Sequence, residues 1–82
     1  MLLPGQGERL GALMREHLSG LELVVNEGTW SRTLTVWVRR PDGKILAEVE
    51  QDEKAIGILG DLWADRVAAD LLAQLQTRQV AA

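Results

Sequence analysis

Few side chains in this sequence have the types and spacing that catalysis requires. His17 follows Glu16 and precedes Ser19, which brings a histidine, an acid and a hydroxyl close together along the chain. No nucleophile-elbow glycine pattern surrounds Ser19, and His17 falls on the apolar stripe of a predicted helix. We therefore interpret His17 as a partly buried helix residue, and the sequence predicts no catalytic residue and no enzymatic activity.

Carboxylates concentrate in the second half of the chain. Asp61 and Asp65 lie one helical turn apart, close enough for two carboxylates to share a divalent cation. No histidine, cysteine or calcium-loop spacing accompanies them, so we predict no metal site, no cofactor and a solvated acidic surface. Such a surface can also complement a basic partner and speed its association. The acidic residues of this segment are Glu48, Glu50, Asp52, Glu53, Asp61, Asp65 and Asp70. Between residues 48 and 70 the only bases are Lys54 and Arg66.

Three tryptophans are the only aromatic residues of the chain. Trp63 falls on the apolar stripe of the last predicted helix, which favours a place in the core. Trp37 lies in a predicted strand and points away from the core, where tryptophan and arginine often anchor interfaces. An interface role for Trp37 and a structural role, with arginine stems covering its ring, stay equally open. Trp30 and Arg39 are predicted to belong to the same surface.

Three predicted strands position these side chains, at residues 21–27, 32–39 and 44–51. The last two flank Arg40-Pro41-Asp42-Gly43, a strong turn signal. A four-residue loop pairs Arg39 with Lys44, whereas a slip by one residue would place two glutamates among the valines. The predicted pairs on the apolar face are Val38 with Ile45, Val36 with Ala47, and Leu34 with Val49.

Two predicted helices flank the strands. The first spans about residues 6–19 and ends at Gly20. The last starts after Asp52, which can cap it, and runs to about residue 78, with a break at Gly60 as an open alternative. The predicted fold is a two-layer α+β domain spanning residues 1–82, in which both helices cover one face of a three-stranded antiparallel sheet. A second apolar stripe on the last helix suggests a homodimer interface at Ala64, Ala68, Leu72 and Leu75.

Composition excludes several classes of function. A chain of 82 residues without cysteine forms no disulfide framework, thiolate metal site or cysteine nucleophile. Its net charge of −3 repels phosphate, so we expect no direct binding of nucleic acid. No apolar stretch approaches the ~20 residues of a membrane span, and the N-terminal residues do not resemble a signal peptide. We therefore expect a cytoplasmic protein that does not bind membranes.

Two known families share this order of elements. Double-stranded RNA-binding domains resemble the chain in element order alone. Those domains carry a cluster of lysines at the start of the last helix, which binds phosphate. The corresponding residues here are Asp52-Glu53-Lys54-Ala55, which argues against RNA binding.

Small acidic phage-encoded anti-CRISPR proteins resemble the chain more closely, over about residues 8–70. The likeness lies in residues 34–44, with their Asp-Gly turn, followed by Glu48, Glu50 and Asp52-Glu53. The resemblance implies a non-catalytic inhibitor that blocks the basic nucleic-acid-binding surface of a CRISPR effector in the host cell cytoplasm. The runner-up interpretation is a homo-oligomeric structural or interaction protein that uses the apolar face of the last helix.

Overall fold

The computed structural model describes residues 4–28 and 32–81, with residues 78–81 described by their backbone alone. Helix α1 (Gln6–Met14) continues into a 3₁₀ turn (Arg15–His17) and leads to the three strands. Helix α2 (Glu53–Leu59), a second 3₁₀ turn (Gly60–Leu62) and helix α3 (Trp63–Ala81) complete the described chain. The strands are β1 (Glu22–Glu27), β2 (Thr33–Arg39) and β3 (Ile45–Asp52), and they form an antiparallel sheet in the order β1-β2-β3. The predicted α+β fold is confirmed.

The hydrophobic core lies between one sheet face and the helices. Every second residue of β2 is buried, because consecutive side chains of a strand point to opposite faces. We call this covered side the inner face, and it carries Leu34, Val36, Val38, Ala47 and Val49. The helices add Leu10, Met14, Ile56, Trp63, Ala64, Val67, Ala68 and Leu71 to the same cluster. The core position predicted for Trp63 is confirmed.

The predicted register of the hairpin is wrong, although its alternation of faces largely holds. Arg39 pairs with Ile45, and a bulge then shifts the ladder so that Val38 pairs with Ala47. Lys44 belongs to the turn, where its N–H donates to the Asp42 carboxylate at 3.0 Å. The pairing beyond the bulge therefore differs by two residues from the prediction. An even shift keeps side chains on their faces, so burial alone does not distinguish the two registers.

Ile45 shows where the predicted register fails. It shares the face of its partner Arg39, opposite the core, and 42% of its surface is exposed. The bulge that follows it reverses the direction of its side chain relative to Ala47 and Val49. Ile45 is therefore not a core residue, contrary to the sequence prediction.

Local cap and turn chemistry follows the sequence closely. The Asp52 carboxylate accepts from the Ala55 N–H at 2.8 Å and caps α2, as predicted. Gly60, with φ of 53°, ends α2 and separates it from α3, so the alternative of a broken helix, which the sequence leaves open, is the one observed. Gly43 has φ of 93°, a backbone conformation that favours glycine.

Helices α1 and α3 run in the same direction. The Gln6 side chain accepts from the Ala64 N–H at 3.0 Å, so it caps the start of α3 across the helix pair. One turn later the Arg9 guanidinium binds Asp65. Gln6 is the first residue of α1 and is buried there, where its amide holds the two helices together.

Candidate protein-binding surface

The side of the sheet opposite the core is the candidate functional surface, and we call it the outer face. Trp37 lies at its centre on β2, half-buried, between Val24 of β1 and Glu48 of β3. All helix residues in the core cluster pack on the inner face, so no described helix covers this side. The members of the outer face are Glu22, Val24, Asn26, Thr35, Trp37, Arg39, Ile45, Glu48 and Glu50. The sheet thus presents a tryptophan within a polar surface, as the sequence predicts.

Carboxylates outnumber bases on the outer face. The Arg39 Nε donates to the Glu22 carboxylate at 2.9 Å across the β1–β2 pair, and this ion pair is solvent-exposed. The carboxylates of Glu48 and Glu50 are exposed and form no ion pair within the described residues. The charge around Trp37 is therefore negative on its β3 side and close to neutral on its β1 side.

The predicted acidic surface divides between two layers of the molecule. Glu48 and Glu50 lie on the outer face, whereas Asp61 and Asp65 lie in the helical layer beneath the opposite face. The chain leaves β3 and continues into helices on the inner side of the sheet. Residues of β3 and of the helices that are near one another in the sequence therefore lie in different layers. One partner surface cannot contact all four carboxylates on a single flat face.

Asp65 is committed to an internal contact. Both of its oxygens accept from the Arg9 guanidinium, at 2.8 and 3.0 Å. The hydrogen bond from Arg9 and its positive charge lower the pKa of Asp65, against a smaller opposing effect of desolvation. Asp65 therefore ties α3 to α1 rather than offering a free carboxylate to a partner.

The remaining predicted site residues fall in different environments. Trp30 lies outside the described residues. Ala64 and Ala68 are buried in the core, so they are not an oligomer interface, contrary to the prediction. Small side chains at these two positions let α3 pack closely against the rest of the core. Leu72 and Leu75 are only partly buried and line an open groove of about 310 Å³.

His17 is exposed in the 3₁₀ turn that follows α1, which corrects the expectation of a partly buried helix residue. The helix tightens before His17, so that its side chain leaves the apolar stripe set by Leu10 and Met14. His17 borders the same groove as Leu72 and Leu75. No group of three or more acidic or histidine side chains is arranged to hold a metal ion within the described ranges.

Two strongly exposed apolar side chains in the helical layer were not predicted from the sequence. Ile58 and Leu62 are 76% and 65% exposed and lie four residues apart around the end of α2. Ile58 is out of phase with the core-facing stripe of Ile56, Leu59 and Trp63, and the sequence shows that mismatch. They lie in the helical layer, away from the outer face.

Comparison with known proteins gives no further guide to this surface. No protein-family model, curated protein or solved structure matches the chain. None of the helices in the described part of the chain has the length and apolar character needed to cross a bilayer.

Proposed function

We propose that this protein is a non-catalytic inhibitor that binds the basic surface of a protein partner through its outer face. The observation that carries the proposal is Trp37, half-buried at the centre of a sheet face that no described helix covers. A large aromatic ring in such a position can fill a pocket of a partner and lose its remaining contact with water. Its neighbours Arg39 and Val24 extend the contact surface on either side.

Charge supports a basic partner. Glu48 and Glu50 lie beside Trp37 and have no cation within the described chain to neutralise them. Lysines and arginines that normally hold phosphate groups would complement these carboxylates and compete with nucleic acid for the same site. The resemblance to anti-CRISPR proteins favours a CRISPR effector as that partner, with Trp37, Arg39, Glu48 and Glu50 as the principal contacts.

The alternative of self-association through the last helix has less support. Two of its four predicted residues, Ala64 and Ala68, are part of the core, which leaves Leu72 and Leu75. Two residues of the predicted acidic surface have less support as contacts of a basic partner. Asp61 lies in the helical layer, and Asp65 is bound to Arg9. The outer face therefore holds the residues with the strongest case.

The test begins with a pull-down from cells and identification of the bound proteins by mass spectrometry. Binding kinetics against the captured partner are then measured by surface plasmon resonance at two salt concentrations. Glu48→Lys combined with Glu50→Lys should lower the association rate, and more so at low salt, because these charges steer the encounter. Trp37→Ala should raise the dissociation rate by about 30-fold, the equivalent of ~2 kcal/mol for a buried anchor.

A matched control reverses two exposed carboxylates in the helical layer. Glu8→Lys combined with Asp61→Lys changes the net charge by the same amount, but on the helical layer, and should lower the association rate less than the Glu48/Glu50 reversal does. The proposal fails if binding is independent of salt and tolerates both the Trp37 and the Glu48/Glu50 variants. Equal loss of binding in the control pair would place the interface on the helical layer instead.

A further inference from the structure

The two edges of the sheet are finished in different ways. At the β3 edge, the Gln74 amide of α3 accepts from the Glu48 N–H at 3.0 Å and donates to the Glu48 carbonyl at 2.8 Å. A side chain thus takes the place that a neighbouring strand would occupy. The bulge between Ile45 and Ala47 interrupts the same strand. Both features discourage another chain from pairing with this edge.

The β1 edge has neither feature. Its pairing with β2 is regular over six residues, without a bulge, and no proline or lysine lies in the strand. Within the described chain, no segment pairs with its outer side. An edge left open in this way presents main-chain donors and acceptors to another strand.

The hydrogen-bond pattern identifies which residues point outward. The Gly28 N–H donates to the Thr33 carbonyl at 2.8 Å, which continues the ladder between β1 and β2. Residues of an antiparallel strand alternate between bonding one neighbour and the other. The N–H and carbonyl groups of Leu23, Val25 and Glu27 therefore point away from β2, towards the open edge.

Val25 marks the same edge through its side chain. It pairs with Val36 and shares the inner face, yet 41% of its surface is exposed, whereas Val36 is fully covered. The helical layer protects the middle of the sheet and leaves this part of β1 uncovered. A β-branched residue exposed on an inner face would be buried by extending the sheet with one more strand.

We infer that a second copy of this chain pairs with β1, strand against strand and antiparallel, around a two-fold axis at Val25. In this register Val25 faces its own copy, and Leu23 faces Glu27 of the other chain. All three outward residues form hydrogen-bonded pairs, and Glu22 lies opposite Gly28, so no two carboxylates stand directly opposite each other. The strand is self-complementary in hydrogen bonding, and this register keeps its two glutamates from facing those of the other copy.

The pairing produces one continuous six-stranded sheet. Its two-fold axis is perpendicular to the sheet, so the outer faces of both copies lie on the same side. The two β2 strands are separated by three strand spacings, about 14 Å in total. A dimer therefore presents two Trp37 side chains on one surface, although the inference itself rests on the β1 edge and not on the proposed function.

Sedimentation velocity over a range of protein concentrations tests the inference. Val25→Lys should weaken dimerisation at least tenfold, because an edge lysine opposes its own copy across the axis. Ile45→Lys is the matched control, since Ile45 is equally exposed but lies on β3. Melting temperatures of both variants confirm that they fold. A wild-type monomer at millimolar concentration would overturn the inference, and so would a dimer that Leu72→Glu disrupts and Val25→Lys does not.

An engineered thiol supplies a second measurement. The chain has no cysteine, so Val25→Cys introduces the sole thiol, and a two-fold pair at this position has Cα atoms ~5.5 Å apart, within disulfide range. Under mild oxidation Val25→Cys should form the covalent dimer at least tenfold faster than Ile45→Cys. Equal rates for the two variants would contradict pairing at β1. If the β1 amide protons are protected from hydrogen exchange only when a different protein is present, the edge binds an extended segment of that partner and the inference is wrong.

Discussion

The two faces of β2 place alternate residues of one strand in opposite environments. Leu34, Val36 and Val38 point to the inner face and are almost completely covered by the helices. Thr35, Trp37 and Arg39 point to the outer face and remain partly exposed. Packing restricts the inner side chains in size and polarity, whereas no described element imposes such limits on the outer ones. The outer residues are therefore less constrained by packing within the described chain than the inner ones.

The largest expected difference comes from the same substitution made on each side of the sheet. Trp63 is fully buried in the core, so Trp63→Ala should lower the free energy of unfolding by about 3–5 kcal/mol. Trp37 is half-buried, so Trp37→Ala should cost about 1.5 kcal/mol or less, since full burial of a large apolar side chain stabilises by about 1.5–3 kcal/mol. Urea unfolding of both variants measures the two values.

The comparison of faces would break if the two substitutions destabilised the protein equally. Such a result would mean that Trp37 is covered in solution, for example by another copy of the chain. Repeating the unfolding of Trp37→Ala at several protein concentrations separates these cases, because only a contact between copies makes the cost depend on concentration.

A smaller effect is expected at the contact that holds the helical layer together. Gln6→Ala removes the acceptor for the Ala64 N–H and leaves that donor buried at the start of α3. Loss of a cap with a buried donor costs about 1–2 kcal/mol. Glu8→Ala, an exposed change in the same helix, should have an effect within about 0.5 kcal/mol. Equal values for the two variants would show that Gln6 does not cap α3.

The smallest expected effect concerns the Arg9–Asp65 ion pair, and its sign depends on pH. Arg9 lowers the pKa of Asp65 in the folded protein, so the pair stabilises the fold at pH values above the unfolded pKa of about 3.9. This stabilisation is lost as the pH falls through the lower folded pKa. The difference in melting temperature between wild type and Asp65→Asn should therefore be present at pH 7 and should shrink steadily as the pH is lowered below the unfolded pKa.

Salt and a neighbouring carboxylate provide the controls for that measurement. Both partners of the pair are exposed, so the difference should shrink at high ionic strength. Asp61→Asn removes a nearby exposed carboxylate that forms no ion pair in the described part of the chain. If Asp61→Asn reproduced the effect of Asp65→Asn at every pH, the specific contact with Arg9 would be unimportant.

Local signals were the most predictable part of this protein. Alternation in residues 33–39, the Asp52 cap and the Gly43 turn depend on neighbouring residues, and the structure confirms each of them. The position of Trp37 opposite the core follows from the same alternation. The pairing of Ile45 was not predictable in this way, because the loop length and the bulge both change the register without changing the pattern of Ala47 and Val49.

The candidate site shows the same limit. The sequence groups Glu48, Glu50, Asp61 and Asp65 into one acidic segment, but the return of the helices beneath the sheet places the last two on the opposite layer. From the sequence, the apolar stripe of Ala64 and Ala68 is predicted to be exposed. In the structure both residues are buried in the core. Whether an apolar side chain is buried depends on contacts with residues distant in the sequence, and the hydrophobic periodicity of one segment does not predict those contacts.

By itself, the sequence determined the order of helices and strands, the alternation of β2 and the polarity of each face, since these follow from backbone preferences and side-chain period. Only the tertiary structure decided which apolar residues are covered, which carboxylates share a surface, and that Gln6 and Gln74 complete hydrogen bonds of distant backbone groups. It also decided that Gln74 closes the β3 edge, whereas no described segment pairs with the β1 edge. The physical reason is that burial and hydrogen-bond completion are properties of residues brought together from 26 to 58 positions apart along the chain.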